Sequence, residues 1–111
     1  MFLPNAQAAV VPMRKITDYL LSLENLNGRA KARFFLAFGF DKQNWQKLAE
    51  ALKQHAVDNE VTSIVDRGAF GVNYVVEGRL RTPDGRDPDV RVIWTIDNGD
   101  DTPRLVSAYP M

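Results

Sequence analysis

Residues 45–81 read WQKLAEALKQHAVDNEVTSIVDRGAFGVNYVVEGRLR, and the apolar period changes once within them. Before Asn59, Trp45, Leu48, Ala49 and Leu52 recur at three- and four-residue steps, the stripe of one helix face. After Glu60 the period falls to two: Val72, Tyr74, Val76 and Leu80 alternate with Asn73, Glu77, Arg79 and Arg81. Helices first and strands second predict an α+β fold, with three helices packed on one face of an antiparallel sheet.

The helical period extends back toward the N terminus. Pro12 suits a first helical turn, where its missing N–H costs nothing, and a helix is expected over Met13–Leu23 with Ile16, Tyr19, Leu20 and Leu23 inward. Asn25–Gly28 makes a turn. A second helix is expected over Arg29–Phe38, with Ala30, Phe34, Phe35, Ala37 and Phe38 inward and Gly39 as its left-handed C-cap. Asp41 or Asn44 then caps the third helix, which runs to about Ala56. Phe2–Val11 reads as an extended apolar lead-in that must pack on the body to be ordered.

Forward from the switch, Val61–Asp66 reads as a short edge strand and Gly68–Gly71 as a turn. Thr82-Pro83-Asp84-Gly85-Arg86 carries turn chemistry at each position. Val92, Trp94 and Ile96 alternate with Arg91, Ile93 and Thr95, and a last strand is expected over about Arg104–Tyr109. The result is a four-stranded meander in one domain, with a lead-in at 1–11, a helical part at 12–58 and the sheet at 60–110. If Tyr74, Val76, Leu80, Val92 and Trp94 face the helices, Arg79, Arg81 and Arg91 face away, and Val75, Ile93 and Leu105 share that outer face.

Composition sets the limits. With 111 residues, 45% of them apolar and 25% charged, the chain can bury one core and is not disordered. The absence of cysteine removes disulfides, thiolate zinc sites and cysteine nucleophiles. Fourteen basic residues match fourteen acidic ones, so no global field draws in nucleic acid. The cations are uneven, however: all six in residues 60–111 are arginines, whose planar fork suits phosphate and carboxylate. No run reaches the roughly 18 apolar residues of a membrane span, and Met1–Val11 is too short and too broken for a secretory segment. A cytoplasmic chain without membrane attachment is expected.

Few motifs carry chemistry. Asp84, Asp87 and Asp89 lack the calcium-loop pattern, and Gly68-Ala69-Phe70-Gly71 opens a strand where a phosphate loop opens a helix. Ser107 lacks the small-residue elbow of hydrolases. No metal and no cofactor are expected. His55 is the one histidine, placed near the end of the third helix. Together with Lys31, Arg33, Arg91, Ser107 and Tyr109 it supplies the groups for cleaving RNA through its own 2′-hydroxyl: a proton acceptor, cations for the phosphorane charge, and an acid.

Several runs together resemble a known family. Tyr19-Leu20-Leu21, Gly28-Arg29-Ala30-Lys31-Ala32-Arg33-Phe34-Phe35, Gly39-Phe40 and Asn44-Trp45 carry the first half of the likeness. Phe70-Gly71, Tyr74-Val75-Val76-Glu77-Gly78, Thr82–Arg86, Val90-Arg91 before Trp94, and Pro103-Arg104-Leu105 before Tyr109-Pro110 carry the second. The chain resembles the bacterial family called domain of unknown function 6883, over nearly its whole length. That likeness implies small standalone proteins and effector domains at the ends of large secreted ones. The expected outline is also similar to the barnase/EndoU/colicin/RelE-like toxin ribonucleases, which often end on a strand carrying Ser or Thr near an aromatic residue, as Ser107 and Tyr109 stand here.

The expectation is therefore a toxin-like, metal-independent endoribonuclease or RNA-binding domain. His55, Arg91, Ser107 and Tyr109 are its candidate catalytic residues, and Lys31, Arg79 and Arg104 its phosphate-binding ones. The alternative is a non-catalytic module whose open sheet face binds a protein partner, such as an immunity protein, or a second copy in a homodimer through the sheet.

Overall fold

The helical stripe before residue 59 and the alternation after residue 61 fold as their periods dictate, in a computed structural model that describes residues 1–111. Helix α1 begins as an α turn, Met13–Lys15, and widens into a π turn, Ile16–Leu20. Helices α2 (Arg29–Ala37) and α3 (Trp45–Asp58) follow. Strands β1 (Val61–Asp66), β2 (Gly71–Arg79), β3 (Asp89–Asp97) and β4 (Arg104–Pro110) pair antiparallel in that order. This is an α+β fold, helices before a four-stranded meander. No helix is long and apolar enough to cross a membrane.

Trp94 is fully buried at the centre of one apolar cluster. The sheet contributes Val76, Val90, Val92, Leu105 and Ala108; the helices contribute Ile16, Leu20, Phe35, Leu48 and Leu52. The lead-in adds Leu3, Ala6 and Ala9. Its Val10 N–H bonds Pro103 O at 2.8 Å and its carbonyl accepts Leu105 N–H at 3.0 Å. That parallel bridge occupies the outer edge of β4.

The lead-in, expected to be extended, coils into a 3₁₀ turn over Ala6–Ala8 that brings Ala6 and Ala9 into the core. Three further details depart from the sequence reading. Helix α1 ends at Leu20, short of the expected Leu23, because the π turn swings the chain round. Leu21 N–H bonds Ile16 O, so Leu20 and Leu21 are both buried while Leu23 is exposed. On α2 the buried residues are Ala32 and Phe35, whereas Ala30 and Ala37 face water. The rings decide this: Phe35 meets Phe40 in the core at 6.3 Å, and Phe34 packs against Phe38 at 4.9 Å on the flank. Third, Leu105 belongs to the core, not to the outer face. The register shifts between Ile93 and Trp94, so Ile93 pairs with Ser107 but Trp94 pairs with Leu105. One extra residue in β4 turns Leu105 inward while Ser107 and Tyr109 stay outside.

The face assignment otherwise stands except at Arg81, which lies beyond the end of β2 and pairs through Nε with Asp58 of α3 at 3.1 Å, so that it does not join the open face. Val76, Val92 and Trp94 lie under the helices with Tyr74 half-buried, while Arg91 is half-buried and Arg79 exposed on the opposite side.

Candidate functional site: a corner of the open sheet face

A row of partnered residues crosses the open face. Glu77 on β2 stands opposite Arg91 on β3, which stands opposite Tyr109 on β4. The Arg91 guanidinium meets Glu77 Oε2 through Nε at 2.7 Å and Nη2 at 2.6 Å. It also lies 5.6 Å from the Tyr109 ring centre. Thr62 on β1 donates its hydroxyl to Glu77 Oε1 at 2.6 Å. The Thr62 bond, then Arg91, hold the Glu77 carboxyl below its ordinary pKa. Glu77 is thus a charged, fully committed acceptor.

At the β4 end of this row the helices wrap round the sheet edge. Asn25 accepts the backbone N–H groups of Asn27 (2.9 Å) and Gly28 (3.1 Å) on its Oδ1 and donates Nδ2 to Asp18 O at 3.2 Å. This Asx turn ties the end of α1 to the start of α2. Gly28 permits the closure: a Cβ there would stand 2.6 Å from Tyr19 O and 2.9 Å from Tyr19 Cδ1. Tyr19 and Lys31 are brought together as a result. The Lys31 ammonium donates to the Tyr19 hydroxyl, 4.8 Å from that ring's centre and 5.8 Å from the centre of Tyr109. Lys15 stands 5.7 Å from the Tyr19 ring.

Ser107, one row along from Tyr109, places a buried Oγ beside Tyr19 without a well-aligned partner. Burial alone would raise the Tyr19 phenol, but the Lys31 hydrogen bond, the Ser107 hydroxyl and the charges of Lys31 and Lys15 outweigh it. The phenol ionises below the usual tyrosine range. Ala30, Lys31, Tyr109 and Pro110 line an open depression of about 420 Å³ beside these groups.

Of the residues singled out in the sequence, Lys31, Arg91, Ser107 and Tyr109 meet here. Arg79 is exposed one row beyond Glu77, without an ion pair. Arg104 lies at the other end of β4, bonded to Asp97 through Nε at 2.8 Å and Nη2 at 3.2 Å. Arg33 is exposed on α2. His55 is not brought to this corner. It is 1% exposed on the helix side of the sheet, with Nε2 at 3.0 Å from Gly78 O and 3.1 Å from Val90 O. The sheet separates it from Arg91. Its burial has a visible cause in the sequence, since His55 falls three residues after Leu52 and seven after Leu48 on one stripe.

Two members of the corner were missed. Tyr19 sits at core spacing in α1, and only the turn through Gly28 carries it to Lys31. Glu77 read as a surface carboxylate, although its position opposite Arg91 follows from the hairpin register. Chemically, the corner offers two cations, a phenol of lowered pKa, a buried serine hydroxyl and the Tyr109 ring beside an accessible hollow.

A model of the family described as Domain of unknown function (DUF6883) matches residues 2–111. No curated protein and no solved structure matches the chain.

Proposed function

The chain belongs to the DUF6883 family, and within it we propose that this domain binds RNA at the Lys31–Arg91 corner and cleaves it without a metal ion. One observation carries the reading. Lys31 and Tyr109 line one open hollow, and Tyr19, Arg91 and Ser107 cluster beside them from α1, β3 and β4. Lys31 and Arg91 supply the positive charge that a phosphodiester and its pentacoordinate transition state require. Tyr109 offers a ring on which a base can stack, and the buried Ser107 hydroxyl supports the Tyr19 oxygen. Arg79 extends the cationic track along β2. His55 and Arg104 have no part in it, the first because it is buried behind the sheet, the second because it is engaged with Asp97 at the far end. A cytoplasmic target, reached directly or by delivery from a larger secreted protein, follows from the substrate.

A second reading draws on the neutralised arginines. Glu77 engages Arg91 and Asp97 engages Arg104, while half-buried Val75 and Ile93 lie between them. A face so balanced also suits a protein partner.

Incubation of the purified chain with RNA in the presence of a chelator tests the first reading, alongside induced expression in a bacterial host. RNA fragmentation with growth arrest is expected, weakened about 100-fold or more by Lys31→Ala. Intact RNA and normal growth at high expression would overturn it in favour of the protein-binding module.

A further inference from the structure

We propose that Tyr19 is the proton acceptor of the corner, taking the proton of an RNA 2′-hydroxyl held between Lys31 and Arg91. This rests on the RNA reading above. Tyr19 is the group whose surroundings prepare it for that task. Its oxygen receives the Lys31 ammonium, and its ring lies under both Lys31 and Lys15. The buried Ser107 hydroxyl faces it from β4 without a settled partner of its own.

The nearest acidic side chain in sequence, Asp18, is turned to other work, its carboxylate bonded by Arg14 at 3.3 Å and Thr17 at 3.3 Å. Nothing negative therefore opposes the two lysines at the phenol. The competing acceptors are spoken for. Both Glu77 oxygens are bonded by Thr62 and Arg91, and His55 is behind the sheet. The Tyr109 oxygen is engaged by the Arg91 guanidinium, and Ser107 carries an aliphatic hydroxyl that ionises far above the working pH. Gly28 lets the backbone close against the Tyr19 ring, since a Cβ there would stand 2.9 Å from Tyr19 Cδ1. A lysine beside a phenol lowers the pKa toward the working pH, where a proton acceptor is most effective.

The step balances. The Tyr19 phenolate takes the 2′-hydroxyl proton as O2′ bonds to the adjacent phosphorus. The P–O5′ bond breaks, and the departing O5′ takes a proton from solvent water. Tyr19 then releases its proton to solvent. The products are a 2′,3′-cyclic phosphate and a 5′-hydroxyl, and Lys31 and Arg91 carry the charge on the phosphoryl oxygens between.

Two measurements on the full chain test this. The first is ultraviolet titration of the three tyrosines. One is expected to ionise below the ordinary value of about 10, to vanish in Tyr19→Phe, and to move upward in Lys31→Met. The second is cleavage of an RNA oligonucleotide, with binding of its 2′-O-methyl analogue measured beside it. Tyr19→Phe is expected to lose about 100-fold or more in cleavage with affinity for the analogue unchanged, and Lys31→Met to shift the acidic limb of the pH–rate profile upward. Three tyrosines ionising together at the ordinary value would overturn the assignment, and so would Tyr19→Phe cutting as fast as the native chain. A native chain that neither binds the analogue nor cuts RNA removes the RNA reading, and the acceptor role falls with it. Cleavage that survives Tyr19→Phe removes the acceptor role alone.

Discussion

At His55 the two neighbours of Nε2 are carbonyl oxygens, so this nitrogen carries the hydrogen and donates, while Nδ1 is left buried without a partner. Burial lowers the imidazole pKa; the carbonyls of Gly78 and Val90 and the charge of Asp58 only partly oppose it. The native state therefore favours the neutral ring. The unfolded chain, with an ordinary value of about 6.5, binds a proton sooner on acidification. The contribution to stability is complete above pH 6.5 and is lost as the pH falls from there through the lowered native value. His55→Phe is expected to cost about 1–3 kcal/mol at pH 8 through its lost hydrogen bonds and to flatten the fall in stability between pH 6.5 and 5. Denaturant unfolding at both pH values checks this; an unchanged acid dependence would contradict it. The burial of His55 follows from the stripe it shares with Leu48 and Leu52, but the sequence reading placed it with Arg91 at the catalytic site instead. The Tyr19–Lys31 pair was not legible. Twelve residues and one glycine turn lie between them, and no period links a side chain on α1 to one on α2.

Among the elements, α3 and β2 could be read almost directly, because each carries one uninterrupted period over two or more turns or repeats. Strand β4 could not. A single added residue puts Leu105 and Ser107 on opposite faces without leaving a mark on the local alternation, which is why Leu105 was expected outside. Helix α1 failed in the same way, its π turn ending the helix early while keeping the apolar residues buried. The lead-in has one local 3₁₀ turn, Ala6–Ala8, and otherwise depends on tertiary contacts. Its place beside β4 rests on the two bonds made by Val10, so Val10→Pro, which lacks the N–H, is expected to cost about 1–2 kcal/mol. Hydrogen exchange at the Leu105 amide should rise with it. Unaltered protection at Leu105 would show that the bridge does not hold the lead-in.

On the scale of the whole molecule, equal numbers of acidic and basic residues leave no long-range field, and most arginines of the sheet half are matched locally by Glu77, Asp97, Asp58 or Asp84. The ligand's charge must be met at short range by a few cations. Only Lys31, Arg79 and Arg91 line the proposed track, so the affinity for single-stranded RNA should fall gently with salt. A slope of about −2 in log K against log salt is expected for some three phosphate contacts; a slope near −6 would require a far wider basic surface than this molecule has. The fold reaches this arrangement by burying Trp94 and its neighbours under the helices, which frees the opposite face and lets the α1–α2 turn bend over its edge. Amide chemical-shift mapping with a 2′-O-methyl RNA oligonucleotide tests that arrangement most directly. Changes confined to Tyr19, Ala30, Lys31, Arg79, Arg91 and residues 107–109 are expected; changes centred on α3 or the outer edge of β1, or none at all, would contradict it.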